Sequence, residues 1–471
     1  MLKFIIFAIL TISTIDSDAD TLFSTGFEQR PVEKQFPMIN GVFQLPDYAV
    51  TSQLDWLMQQ FSLNDTSIAD VNNHFDLIAF GLTAQQMRDF IQIVRTSFPN
   101  AIITDVIMVT PVSLTILIAD PNDMSKYGFF NLRAEFSGLN RIRQFSVSNY
   151  FGSVQIVDDR NLTMEQALDK FQTFTTQSSI LVAEIDDNGI CQPISERNSS
   201  QLRATASIFK IWILTAAAEA WQLGQIELDQ IIKLVSSELA LGGTINNEPL
   251  GTEFTLLEIA ALMLGISDNT ATDLLHETIG RDLIHQVITD LGIIDADALI
   301  PLLGINEQFH LFFSFPLATA LNYVNGSEAF QADFLVNQIE PLGPLTSFPF
   351  NNDSIFIEGS WRASPMDICQ TFAHLRDLPE GSDALKLANI ALGAAAAQPE
   401  VRNFWDRVWY KGGSLESGIN GLQVLTHAWL LENQGENAYV VIAMANNPNG
   451  GIDVFPIQSI TGRILELVRG F

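Results

Sequence analysis

The sequence predicts an α+β protein of two units. The first is a small unit over residues 46–155. The second, over 160–471, has strands at both ends of a helical middle that must meet in one antiparallel sheet. Three observations carry this prediction. The chain has 471 residues, more than one hydrophobic core usually serves. Its 47% hydrophobic and 17% charged residues describe a globular chain rather than a disordered one. Helices followed by a run of strands indicate a small α+β unit, and strands at both ends of a later helical middle imply one sheet assembled from distant segments.

Near its N-terminus the chain carries Lys3, an apolar run from Phe4 to Ile12 too short to span a bilayer, and then Ser17-Asp18-Ala19. Ser17 and Ala19, small residues at the two positions a signal peptidase requires, predict a signal peptide over 1–19 with cleavage after Ala19. The mature chain is therefore expected in the periplasm of a bacterial cell or secreted, with no stable membrane anchor. Residues 20–45, with Gly, Pro and polar side chains, read as a linker. Helical spacing covers Asp47–Phe61, "SIADVNNHF" and Ala84–Phe98. The stretches "AIITDVIMVT", "VSLTILIAD", "FFNLRAEFSG" and "IRQFSVSNYF" follow, β-branched and aromatic, with Pro and Gly between them. They predict three or more antiparallel strands.

In the second unit, Thr163–Phe174 reads as a helix with Thr163 as its cap and Glu165 in its acidic first turn. "SSILVAEIDDNGICQPI" reads as a hairpin turning at Asp187-Asn188-Gly189. Helical pattern runs from Ala206 to about Ala397, with a Pro- and Asn-rich break at 340–354. "RVWYKGGS", "INGLQVLTHAWLLE" and "YVVIAMANN" read as strands, and "IQSITGRILELVRGF" as a closing helix. No internal repeat is visible.

The net charge of −30 repels phosphate backbones and anionic membrane surfaces, so nucleic acid is excluded as a partner. Cys191 and Cys369 are the only cysteines; export permits a disulfide between them, but their spacing does not establish one. The six histidines are scattered, and His276-Glu277 lacks the second histidine of a zinc helix. No metal and no cofactor are expected. No Gly-x-Ser-x-Gly elbow and no phosphate-binding glycine loop is present.

Three short motifs carry chemistry. Ser207-Ile-Phe-Lys210 opens a long apolar helix, so hydroxyl and amine share one helix face near the positive end of its dipole. A serine hydroxyl is a weak nucleophile until a neighbouring base takes its proton. Lys210 can be that base if burial and nearby positive charge hold its amine partly neutral. Ser-x-x-Lys alone is more often a solvated helix edge. Ser267-Asp268-Asn269 opens a second apolar helix, and Lys411-Gly412-Gly413-Ser414 ends a strand. Each is commonplace singly, as a helix cap and as a strand end with a turn.

In this order, with Ser207 and Ser267 sixty residues apart, the three motifs resemble the signature of the class A β-lactamases and penicillin-binding proteins. The likeness runs on through "GTEFTLLEIAALMLGISDNTATDLLHETIG" and "ASPMDICQTFAHL" and covers roughly 160–471. "KGGS", "SWRASPMDIC" and the α+β unit in front resemble a two-domain subgroup, that of the clavulanic acid gene-cluster serine hydrolase. The first domain of that subgroup is similar to the steroid isomerase and nuclear transport factor (NTF2) fold.

The resemblance implies a β-lactamase/transpeptidase-like domain, an antiparallel sheet plus a helical part, behind a small cone-like α+β domain. It implies Ser207 as acylated nucleophile, Lys210 as its general base, and Ser267 as proton carrier to the leaving group. Asn269 would hold the substrate amide and order Lys210, and Lys411 would anchor a substrate carboxylate. The backbone N–H groups of Ser207 and Ser414 would form the oxyanion hole, with Gly412 and Gly413 beside the bound substrate.

The chain departs from that pattern twice. Gly412 stands where the family has Thr or Ser, so a hydroxyl is missing that Ser414 would replace in part. No Ω-loop glutamate is visible in "DALIPLLGINEQFHLFF"; Glu307 and Glu340 are poor substitutes, Glu340 because it sits in a Pro-rich loop. In the first unit, Trp56, His74 and Phe75 read as core and rim, and no ligand is assigned to them. The expected function is a serine hydrolase working through a Ser207 acyl-enzyme on a small-molecule amide or ester, and a poor β-lactamase. The alternative is a penicillin-binding sensor or ligand-binding protein that acylates without efficient turnover. The oligomeric state is left open.

Overall fold

The computed structural model describes residues 32–150 and 152–470. The expected signal peptide and the start of the linker lie outside the described residues. Residues 38–43, expected to be irregular, form a two-stranded hairpin, Met38–Ile39 against Val42–Phe43.

The first unit is a four-stranded antiparallel sheet, Ile102–Val109, Ser113–Asp120, Asp123–Ala134 and Ile142–Asn149, in sequence order. Helices Ala49–Ser62, Ile68–His74 and Ala84–Ser97 pack on it around Leu54, Phe61, Ile91, Ile116 and Phe130. Thr83 and Gln86 form the capping box that starts the third helix, satisfying donors that a helix N-terminus otherwise leaves free.

The larger sheet is antiparallel, in the order Arg407–Ser417, Gly421–Glu432, Ala438–Asn446, Gln177–Ile185, Cys191–Arg197. It is thus assembled from both ends of the second unit, as strands flanking a helical middle require. Its two faces alternate. Trp409, Leu430, Ile442 and Leu181 pack toward the helix Lys210–Gln222, and Val408, Trp429, Val441 and Val182 pack toward Met164–Gln172 and Val454–Val468. The Lys210–Gln222 helix is apolar almost all round because it is buried almost all round, with Ile211 to Ala218 covered in succession.

The edge strand Arg407–Ser417 leaves its outer side open, and it carries Lys411 to Ser414. The two units are joined by more than chain continuity. Val109 N–H donates to Ala394 C=O and Ala396 N–H to Ile107 C=O, both at 2.8 Å, and Val112 packs inside the core of the second unit. Among the described residues no helix is long and apolar enough to cross a membrane.

Cys191, on an edge strand, and Cys369, in the helix Pro365–Arg376, are joined as a disulfide closing a loop of 178 residues. Cross-linking that span removes denatured-state entropy worth about 2–5 kcal/mol. Replacing both cysteines with serine is expected to lower the unfolding free energy by that amount, read as a lower denaturant midpoint, while leaving the fold intact; an unchanged midpoint would show that the bridge adds no stability.

Candidate active site

Ser207 lies in a single tight 3-10 turn, Ala206–Phe209, which runs directly into the α-helix beginning at Lys210. The chain enters that turn under firm control. Asn446, on the central strand, accepts from Ala204 N–H at 2.8 Å and donates back to Ala204 C=O at 3.2 Å. Thr205 N–H donates to Trp361 C=O at 2.9 Å, and Trp361 stacks on Phe209 at 3.8 Å. Ala206, immediately before the serine, has φ of +45°, a conformation that costs a residue with a Cβ about 1–3 kcal/mol and persists only where its surroundings over-determine it.

Ser267 is held in the same strained region, φ +58°, just beyond the helix Leu256–Gly265. Asp268 caps the next helix, Asn269–Ile279, accepting from Ala271 N–H at 2.8 Å. Its other oxygen accepts from Thr244 N–H at 2.6 Å and Ile245 N–H at 3.0 Å, so this buried carboxylate is satisfied by backbone alone.

Lys210 is fully buried and aims its amine into this turn. Nζ donates to Ser267 C=O at 2.7 Å and to Asn269 Oδ1 at 2.9 Å, with Ser267 Oγ at 3.3 Å. Asn269 Nδ2 is anchored on Leu241 C=O at 2.6 Å, which fixes which end of the amide faces the lysine. On the other side Lys411 Nζ donates to Ser267 Oγ at 3.0 Å. Ser267 therefore stands between two buried amines.

Burial pushes the Lys210 amine down from 10.5 to about 7; Asp268 and Asp273 oppose that fall without cancelling it. The change is worth about 5 kcal/mol toward the neutral form, far more than an exposed ion pair returns. Lys411 is held well below its ordinary value by burial first and by Lys210 second. A neutral Lys210 has two N–H bonds, enough for its two closest acceptors, and a lone pair left over. That is the state a general base for a neighbouring hydroxyl requires.

The edge strand closes the site. A side chain at Gly413 would meet Thr205 O at 2.5 Å and Ser207 N at 2.7 Å, so only glycine lets the strand approach the serine's backbone N–H. Gly412 has its own reason. A Cβ there would overlap the hydroxyl of Tyr410, which is hydrogen-bonded to His427 Nδ1 at 2.9 Å. Ser414 is exposed.

Thus Ser207, Lys210, Ser267, Asn269, Lys411 and Gly413 are brought to one place. The sequence reading named these residues but missed those that hold them, Asn446, Thr205, Trp361 and Thr426, whose hydroxyl donates to Thr205 C=O at 2.8 Å. Each acts through contacts with residues far away in sequence, and a single sequence carries no local sign of them.

Glu307 and Glu340 are both committed to Arg281, at 2.5 and 3.0 Å, and Glu307 also accepts from Gly304 N–H at 2.7 Å. In the first unit Trp56 stacks on His74 at 3.8 Å, and Phe75 is core. A cleft of about 780 Å³ between residues 32–48 and 380–394 is lined by none of the candidate site residues. Among the described residues no group of three or more His, Cys, Asp or Glu is placed to hold a metal ion.

Residues 164–309 match the model of the beta-lactamase enzyme family. The matched segment contains Ser207, Lys210, Ser267 and Asn269 but stops short of Lys411. No curated protein matches the chain. Among solved structures, the chain is similar to a beta-lactamase from Chitinophaga pinensis (15% identity, 65% of this chain and 98% of that one, TM-score 0.44). It is also similar to a beta-lactamase from Sphaerobacter thermophilus (18% identity, 65% and 95%, TM-score 0.41). A third similar structure is PBP-A (15% identity, 65% and 96%, TM-score 0.41).

The tight approach at Gly413 yields an expectation. Gly413→Ala must push the edge strand away from Ser207 N–H; with that N–H as an oxyanion donor, as the resemblance implies, its loss costs about 10²–10³ in rate. The acylation rate constant should fall by that order in a protein that still folds, with stability lowered by about 1–3 kcal/mol; a rate within threefold of the parent would remove Gly413 from the site.

Proposed function

We propose that the protein is an exported serine hydrolase of the β-lactamase/penicillin-binding type, acting through a Ser207 acyl-enzyme on a small-molecule amide or ester. The observation that carries this reading is the Lys210 amine, fully buried, held by Ser267 and Asn269, and poised near neutrality one helical turn from Ser207. The family match over 164–309 supports it.

Neutral Lys210 takes the Ser207 proton as Oγ attacks the carbonyl carbon. The N–H groups of Ser207 and Ser414 stabilise the developing oxyanion. As the tetrahedral intermediate collapses, the C–N or C–O bond breaks and Ser267 passes a proton to the leaving atom, drawing its replacement from Lys210. Lys411 lowers the cost of negative charge on Ser267 and attracts an anionic substrate group. Water then hydrolyses the ester.

A second reading, acylation without efficient turnover, is favoured by one specific observation: Glu307 and Glu340 are both tied to Arg281, so neither is free to activate water.

Intact-mass measurement after mixing with a chromogenic cephalosporin, and separately with a nitrophenyl ester, tests both. An adduct on Ser207 that is absent in Ser207→Ala supports the serine hydrolase. If the adduct persists through at most one turnover, the second reading holds; sustained colour with little adduct rejects it. Neither adduct nor colour with either probe sinks the proposal.

The pH dependence follows from Lys210. Only its neutral form accepts a proton, and its pKa is lowered to about 7, so acylation should rise with pH through about 7 and level off above. Asp268, Asp273 and Lys411 are the charged groups that bear on that titration. Lys210→Met should lower acylation by about 10²–10⁴ and abolish this rise. A midpoint near that of a solvated lysine would contradict the assigned role.

A further inference from the structure

We propose that the first unit positions the Ser267-Asp268-Asn269 turn, through Arg133 on one flank and Thr110 on the other. This rests on the reading of Ser207 as nucleophile only in so far as the turn matters for acylation.

Arg133, on the strand Asp123–Ala134, donates to Thr244 C=O at 2.8 Å, and the N–H of the same Thr244 donates to Asp268 Oδ2 at 2.6 Å. One residue thus joins a side chain of the first unit to the carboxylate at the centre of the turn. The segment around Thr244 is bonded on both sides. Toward the first unit, Glu248 accepts from Phe136 N–H, Ser137 N–H and Ser137 Oγ, pairs with Arg143, and Phe136 stacks on Phe254 at 4.2 Å. Toward the turn, Thr270 Oγ1 accepts from Ala240 N–H at 2.8 Å and donates to Asn246 Oδ1.

On the opposite flank, Gly265 lies two residues before Ser267. A Cβ there would meet Thr110 Cγ2 at 2.5 Å and Ala394 Cβ at 2.8 Å. Thr110 itself is fixed, its hydroxyl bonded to Ser113 C=O at 3.1 Å. The strained Ser267 is therefore bracketed by the first unit: a cation holds the loop that feeds Asp268, and a methyl group is packed under Gly265. Arg133 touches none of the reacting groups. It is a positioning residue.

The test uses the full chain and two readouts. Backbone amide exchange over residues 266–271 needs no substrate, so it decides the positioning role even if Ser207 acylates neither probe. In Arg133→Ala we expect exchange there to quicken at least about tenfold. With the chromogenic cephalosporin or nitrophenyl ester, the acylation rate constant should fall about 10- to 100-fold and the half-saturating concentration change less than about threefold. Arg133→Lys, which can still donate to Thr244, should recover most of both. Arg88→Ala, which removes an exposed ion pair with Asp65 elsewhere on the first unit, should leave both unchanged.

Wild-type exchange over 266–271 in a folded Arg133→Ala protein overturns the proposal, and so does wild-type acylation where the parent acylates. Should Arg133→Ala fail to fold, Thr110→Ser, which removes only the methyl group against Gly265, is held to the same two criteria.

Discussion

The burial of the Lys210 amine is the constraint on which the rest of the site depends. An amine with no solvent must either be neutral or be given acceptors on every side, and here it is offered acceptors that leave the choice open: two backbone carbonyls, a side-chain amide oxygen and a hydroxyl, with no carboxylate in contact. Asp268 lies one residue from both Ser267 and Asn269, yet its oxygens face Ala271, Thr244 and Ile245. Had that carboxylate met Nζ directly, the pair would have locked as an ion pair and raised the amine again. Burial lowers the base, and turning Asp268 away from Lys210 keeps that carboxylate from undoing the fall.

Holding that arrangement needs two backbone conformations that residues with a Cβ avoid, at Ala206 and at Ser267. Both precede or form the reacting groups, and both are surrounded by redundant hydrogen bonds from distant parts of the chain. Ala204 is gripped by Asn446 on both its backbone groups, and Asp268 N–H returns to Leu262 C=O at 3.1 Å. The sheet thus acts as a jig: its central strand fixes the approach to Ser207, and its edge strand brings Lys411 to Ser267. The apolar interior that covers Lys210 is the same interior that makes the jig stiff, since Trp409 and the Lys210–Gln222 helix belong to one core.

Much of this was legible in the sequence because the reacting groups come in short local motifs. Ser207 and Lys210 are one turn apart, Ser267 and Asn269 flank a helix cap, and the strand and helix periods around them are strong. The larger sheet could be inferred too, since strands at both ends of a helical stretch have few other ways to pair. What stayed hidden were contacts between segments far apart in sequence. Nothing near Thr110, Arg133 or Asn446 announces a role, because each acts through a single partner more than a hundred residues away. Gly412 looked like a lost hydroxyl; the space is instead taken by Tyr410, two residues earlier on the same face of the strand. The hairpin at 38–43 was missed because two-residue strands carry no usable period.

On the proposed mechanism an acyl-enzyme needs a group to activate water, and the acidic groups on the helical flank of the site are already committed elsewhere. Glu307 spends one oxygen on Arg281 and the other on Gly304 N–H. Asp273, pushed up to about 7 by burial, spends both on Ile305 and Asn306 N–H at 2.6 and 2.9 Å. These carboxylates cap the helix Ile305–Phe313 and tie it to the Asn269–Ile279 helix. Freeing either would leave buried backbone donors unpaired, at about 1–3 kcal/mol each. On the proposed mechanism, the group near 7 whose bonding leaves a lone pair uncommitted is again Lys210, which would have to serve both half-reactions. A single base used twice makes the second step depend on how well water reaches the lysine past the acylated serine. The size and polarity of the bound acyl group, more than any further acid–base residue, would then set the lifetime of the acyl-enzyme.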